Sequence, residues 1–372
     1  MKFSVKTSEI MKAIHNVEGI ISSRDIKSLL SNIKIECAGD RISLSATDLE
    51  ISIRSRVNAT IEKEGTYCIP AKQLSNVIKV VNFTETRLET VQEEDTFQTF
   101  VTDAENKVDF KMSINGYEGE ELKTITETSD RDLVDFPCFT LSSMLKKTFY
   151  SVAVEDTRYV FNGIYLKSTD NKITAVGTDG RRLAKLEREV PNKLPFTKGV
   201  IVPHKAIREI LKLIESASDG KIGLIENQIY VSVNENALQC KLIDGAYPDY
   251  ESVIPKESKY KVKLSKDAVQ TALRQALIAA EEPIKQIRLT FETNLLRVNS
   301  SNPGSTEFSV SIPVAYDGEH LTMAFKGDYL NDVIKSVDDQ EILMEFSSSG
   351  APAVFRDPSD VNYTAVIMPM KL

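Results

Sequence analysis

Apolar and polar residues alternate over Lys2–Lys6, a strand pattern, and the spacing then changes to three and four. Ile10, Ala13, Ile14 and Val17 fall on one face of a helix expected over Ser8–Val17, with Thr7 or Ser8 as its N-cap. Period-two segments follow at Ile33–Cys37, Ile42–Ala46 and Glu50–Arg56. Pro70 is placed in the first turn of a second helix running to about Val81, since proline is tolerated there. Strands are expected next at Arg87–Gln92, Thr96–Thr102 and Lys107–Ile114. Four further helices are expected at Ser142–Val152, His204–Ser216, Lys266–Ala280 and Gly327–Val337, with Pro203 again at a helix entry.

This pattern occurs three times. Val5, Phe136 and Leu264 are helix-entry hydrophobes, 131 and 128 residues apart. Leu74, Ile207 and Leu330 each precede an apolar pair at i+3 and i+4. Thr47-Asp48, Thr178-Asp179 and Ser301-Asn302 mark the same turn after a strand. Each unit closes on Ile114-Asn115-Gly116, Ile243-Asp244-Gly245 or Ile367-Met368-Pro369. A period near 125 residues is a domain, not a solenoid turn. The expected division is 1–130, 131–254 and 255–372, with the acidic stretch Tyr117–Asp135 and Pro255–Ser258 as linkers. Twelve or more strands with short connections imply antiparallel sheets. The fold class is therefore α+β: three similar domains, each a twofold repeat of strand, helix and strands, with helices on one face of continuous sheets.

Composition is ordinary for a soluble globular chain, at 41% hydrophobic and 27% charged residues. No apolar run reaches the ~20 residues of a membrane span, and the N-terminus has no signal core, so a cytoplasmic protein is expected. Cys37, Cys68, Cys138 and Cys240 form no C-x-x-C pair and read as reduced buried thiols. Three scattered histidines give no metal-ligand spacing, and no cofactor is expected. The net charge of −8 argues against a polyanion partner until it is divided. The six helices with their entry residues carry +8 and the remainder −16. That division suits a helical surface that holds a polyanion while the rest of the molecule repels it. It equally suits surface helices that favour Lys for its propensity and solvation; the repeat, which would put all six helices on one side of a closed arc, favours the first. Lys72, Lys79, Lys146, Lys205 and Arg208 are the candidate phosphate contacts. Tryptophan is absent and the basic helices carry almost no Asn or Gln aimed at base edges, so contact should be independent of sequence.

Thr178-Asp-Gly-Arg-Arg-Leu-Ala184, Asp244-Gly-Ala-Tyr-Pro-Asp-Tyr250 and the terminal Val366-Ile-Met-Pro-Met-Lys-Leu372 resemble motifs of the bacterial β sliding clamps, the processivity subunits of DNA polymerase III. The likeness covers the whole chain in length, period and motif order. It implies a head-to-tail homodimer closing a ring of six domains, with helices lining the pore and sheets outside. It also implies no catalysis and no cofactor, and, as partners, duplex DNA, the replicative polymerase, the clamp loader and other proteins carrying clamp-binding peptides. A peptide pocket between the second and third domains would use Phe161, Thr178, Gly180, Arg181, Arg182, Leu183, Pro248, Val253, Tyr329, Val366, Ile367, Met368, Pro369 and Met370. Aliphatic and Met side chains there would give an adaptable apolar surface. Arg24 and Lys205 would contact DNA, and Phe110 and Met112 would meet Leu277 and Ile278 of a second subunit. The chain departs from the family pattern at Phe161, Arg181 and Ser252, which bears on peptide preference.

Two other classes compete. An enzyme could use Asp179 as a catalytic carboxylate, but Asp48 and Asn302 recur at the matching place, where a side chain capping its own turn is the simpler role. A sequence-specific DNA regulator would need a recognition helix or basic arm, and none is legible.

Overall fold

The computed structural model describes residues 1–21, 29–93, 96–119, 122–125, 133–215 and 217–371. Six helices occur among them: α1 (Thr7–Glu18), α2 (Ala71–Val80), α3 (Cys138–Phe149), α4 (His204–Ile214), α5 (Lys266–Ala279) and α6 (Gly327–Ser336). Each third of the chain runs strand, helix, strands and then strand, helix, three strands, so the twofold repeat within each domain is borne out. Every strand pairing is antiparallel, as expected for strands joined by short turns.

Helix faces follow the expected spacing. Ile10, Ala13, Ile14 and Val17 are buried on α1, and Ala206, Ile207, Ile210 and Ile214 on α4. Burying each of the Ile and Val side chains contributes about 1.5–3 kcal/mol. The ends differ in instructive ways. Lys6, not Thr7 or Ser8, is the N-cap of α1, and no side chain caps it. The Thr7 hydroxyl is instead buried against Thr86 Oγ1 at 2.7 Å, while Thr7 N donates to Thr84 O. Pro70 and Pro203 lie one residue before their helices, closing the strands Gly65–Pro70 and Val200–Pro203. The helix expected from Ser142 begins at Cys138, whose N–H donates to Ser218 O. The strand expected from Lys107 begins at Lys111, because the buried Asp103 carboxylate accepts from Glu105, Lys107 and Val108 N–H groups and makes a turn there. Those three donors outweigh burial and hold the Asp103 carboxyl below its usual range.

Two compact units divide the chain. One joins Met1–Ser142 to Lys205–Leu242, and the other joins Ser143–His204 to Ile243–Leu372, so the middle repeat is shared between them. Strand pairing explains the division. In the first unit Ile51–Asn58 pairs with Asn236–Lys241 inside one 13-stranded sheet. In the second, Arg182–Glu189 pairs with Asp360–Ile367 inside an eight-stranded sheet, and a four-stranded sheet completes the unit. No described helix is long and apolar enough to cross a membrane. All four cysteines are free and buried.

Candidate peptide pocket and helix faces

The two turns that carry the Thr-Asp landmark are built alike. In the second unit Asp179 Oδ1 accepts from Arg181 N (2.9 Å) and Arg182 N (3.0 Å), while Thr178 Oγ1 donates to Arg182 O (2.6 Å) and accepts from Gly180 N. In the first unit Asp48 Oδ1 accepts from Glu50 N (3.0 Å) and Ile51 N (2.7 Å), and Thr47 Oγ1 bonds Ile51 O and Leu49 N in the same way. Gly180 (φ +83°) and Leu49 (φ +74°) share the left-handed conformation. The third copy differs: Asn302 ends its strand in a hairpin, where Ser305 N donates to the Asn302 backbone oxygen. The aspartates are thus turn residues, which is the structural role expected of them.

The Asp179 turn forms one wall of a cavity of about 130 Å³ in the second unit. Its lining brings together ten of the fourteen predicted pocket residues: Phe161, Thr178, Gly180, Arg181, Arg182 and Leu183, then Pro248, Val253, Val366 and Met368. Asp249 and Tyr250 also line it, and were singled out only as part of a motif. Four predicted residues do not reach it. Ile367 alternates with Val366 and is wholly buried beneath the strand, so it belongs to the core. Pro369 and Met370 lie further along the tail, where Met370 N donates to Ala324 O at 2.7 Å. Tyr329 touches the pocket through Arg182, whose guanidinium lies 4.2 Å from its ring centre.

Polar bonds fix the walls. Arg182 donates to Asp179 Oδ2 at 3.1 Å and to Asp332 Oδ2 on α6 at 2.6 Å. Met368 N donates to Arg181 O at 2.9 Å, stitching the tail to the turn. Arg158, absent from the sequence-based set, stacks over the Phe161 ring at 4.5 Å. Its fork is gripped by Asp156 and reaches Asp179 O. Those bonds pull the Asp156 carboxyl down to about 2 and raise the Arg158 guanidinium. Behind the cavity Tyr165 and Tyr247 stack with ring centres 4.7 Å apart, and burial pushes both hydroxyls up. Nothing in the spacing of Asp156 and Arg158 signals this, since the contact depends on where Phe161 and Gly180 are brought.

The predicted basic face is changed at two lysines. Lys147 is nearly buried among Asp338 (2.7 Å), Asp357 (3.1 Å) and Asp360 (3.5 Å), so its charge is neutralised within the fold. Burial opposes that charge, but the bonds from Asp338 and Asp357 prevail and raise its pKa. Lys205 is half-exposed and ion-paired with Asp48. Lys79 lies 3.5 Å from Glu18, and Lys72, Lys146 and Arg208 are exposed. Arg24 lies outside the described residues.

The predicted subunit contacts are surface features. Met112 is exposed, on a strand whose second edge is paired only at Tyr117 and Glu118. Phe110 precedes that strand and is half-buried edge-on against Phe83. Ile278 is 86% exposed. Leu277 is half-buried, near enough to Gly327 that a Cβ there would meet Leu277 Cδ2 at 2.7 Å. The exposed strand Thr306–Pro313 is a terminal strand of the four-stranded sheet, paired on one side only among the described residues.

Comparison with known proteins accounts for nearly the whole chain. The DNA polymerase III beta subunit family matches through its N-terminal domain at residues 1–122, its central domain at 136–249 and its C-terminal domain at 251–371. The beta sliding clamp of Chlamydia pneumoniae is 28% identical over 372 residues, covering 100% of this chain and 99% of that protein. That of Haemophilus influenzae is 26% identical, covering all of both chains. Among solved structures, DNA polymerase III subunit beta from Pseudomonas aeruginosa superposes with a TM-score of 0.91 at 25% identity, covering all of both chains. The sliding clamp of Caulobacter crescentus does so with a TM-score of 0.90 at 26% identity, again over both whole chains.

Proposed function

Because this chain belongs to the DNA polymerase III β-subunit family, the bacterial sliding clamps, and so is a non-catalytic DNA polymerase processivity factor, we propose that two copies close a ring around duplex DNA. Each copy contributes three domains with limits near residues 130 and 254, and helices that face the duplex. The carrying observation is a pair of free sheet edges. One is the start of Lys111–Glu118, bearing exposed Met112; the other is Thr306–Pro313, beside exposed Ile278. Unpaired edges of this kind invite another chain. Joining one edge to the other type on a second copy, twice, closes a ring in which both of these edges are paired on each copy.

The cavity at Leu183, Val366 and Met368 is the tether for partner peptides. It has the small, mainly apolar character suited to one anchoring side chain, with Arg181 and Arg182 at its wall. The replicative polymerase and the clamp loader would compete for it. Phosphate contact through Lys72, Lys79, Lys146, Lys205, Arg208 and Arg24 would be independent of sequence and sensitive to salt. Retention on DNA is the test. Protein loaded on a nicked circle should survive a high-salt wash and run off once the circle is cut. Equal retention on circles and on short open duplexes would overturn the ring.

A further inference from the structure

In both landmark turns one aspartate oxygen caps backbone N–H groups, which leaves the second oxygen free to hold a cation. In the pocket turn that cation is local, since Arg182 Nε donates to Asp179 Oδ2 at 3.1 Å. In the first-unit turn the matching position is Ile51, which offers no charge. Asp48 Oδ2 is instead bonded to the Lys205 ammonium at the entry of α4. Lys205 also donates to Ile20 O, just past the end of α1, at 3.2 Å. A capping residue in a strand turn thereby becomes the fixed counter-charge of a lysine on a helix.

We propose that Asp48 is a built-in competitor for DNA phosphate at Lys205, keeping the clamp's hold on the duplex weak enough to slide. This rests on the reading that Lys205 faces the duplex. Lys205 is half-exposed, so a phosphate can reach it, but only by displacing or sharing the carboxylate. An exposed pair of this type shifts an equilibrium by roughly 1.5- to 5-fold. Each lysine freed to neutralise a phosphate steepens the dependence of log affinity on log salt by about 0.9. Pairing the lysine internally removes that contribution, and the adjacent carboxylate offsets the lysine's attraction for DNA at longer range as well.

The test uses Asp48→Asn, which keeps Oδ1 as the acceptor for Glu50 and Ile51 while removing the charge that holds Lys205. Binding of the full-length protein to a short fluorescent duplex is followed by anisotropy across a salt series. Asp48→Asn should bind roughly 1.5- to 5-fold more tightly, with a slope steeper by about 0.9. Lys205→Ala should bind more weakly, and the double variant should match Lys205→Ala alone. If Lys205→Ala weakens binding but Asp48→Asn changes nothing, the competitor role is wrong and the DNA-face reading stands. Equal tightening by Asp48→Asn in the Lys205→Ala background also overturns the proposal, since simple loss of negative charge would then explain it. No effect of Lys205→Ala removes both. If circular dichroism finds Asp48→Asn unfolded, Asp48→Ser, whose hydroxyl can cap the same turn, replaces it in every arm.

Discussion

Alanine at position 180 should damage the pocket far more than its single methyl suggests. Gly180 has φ +83°, and left-handed backbone costs an L-residue about 1–2 kcal/mol. That cost alone is tolerable, because Leu49 has φ +74° in the matching turn of the first unit. The neighbours decide the outcome. A Cβ on Gly180 would lie 2.9 Å from Arg158 Nη1 and 3.2 Å from Nη2. Arg158 cannot swing aside freely, since Asp156 holds it at 3.0 and 2.9 Å. Its displacement from the Phe161 ring would forfeit about 0.5–1 kcal/mol at this exposed site. With the turn strained as well, the total is about 1.5–3 kcal/mol, and about 1–2 kcal/mol of it falling on the pocket is roughly a five- to thirty-fold rise in Kd for a partner peptide. Anisotropy of a labelled peptide with a single apolar anchor measures it. Gly39→Ala is the control, because Gly39 has φ +64° but nothing within 4 Å of its Cβ position. It should lower stability by about 1 kcal/mol and leave peptide affinity unchanged. A Kd for Gly180→Ala within twofold of wild type would refute the reasoning.

Three other outcomes are expected. Lys147→Met strands the buried Asp357 carboxylate and should cost about 3–5 kcal/mol at neutral pH, read as a fall in Tm. Although burial opposes it, bonds from Asp338 N, Ser359 and Lys147 hold the Asp357 carboxyl at about 2, so its contribution is complete above its ordinary value of 3.8 and is lost as pH falls through 2. The Tm gap between variant and wild type should therefore close on acidification, and a gap independent of pH would contradict the assignment. Charged residues at Leu277 and Ile278 should give folded monomers by light scattering, with Ile278 contributing most because it is the more exposed; a persistent dimer would remove that interface. Ending the chain after Ile367 deletes Met368 from the cavity and the Met370–Ala324 bond. It should abolish peptide binding while leaving subunit association intact, and loss of the dimer would count against the pocket.

What the sequence determined was periodic. Spacings of three and four located six helices, alternation located seven of the nine strands described in the first repeat, and repetition of the pattern near 125 residues gave the domain count. Those signals are local, because a helix or strand must bury one face wherever it ends up. Eight of the ten pocket residues were legible because they lie in three short motifs whose order resembles a known family, while Phe161 and Val253 lie outside those motifs and followed only from the resemblance. Tertiary structure decided everything that depends on which distant groups meet. Asp103 shortened a predicted strand by collecting three backbone donors, and Thr7 gave up capping for a buried bond to Thr86. Lys147 and Lys205 look alike in a charge count, yet one is nearly buried among three aspartates and the other sits half-exposed against a turn 157 residues away. Charge is written in the sequence, but whether it is free to act depends on its neighbours in space, and only the folded chain chooses those.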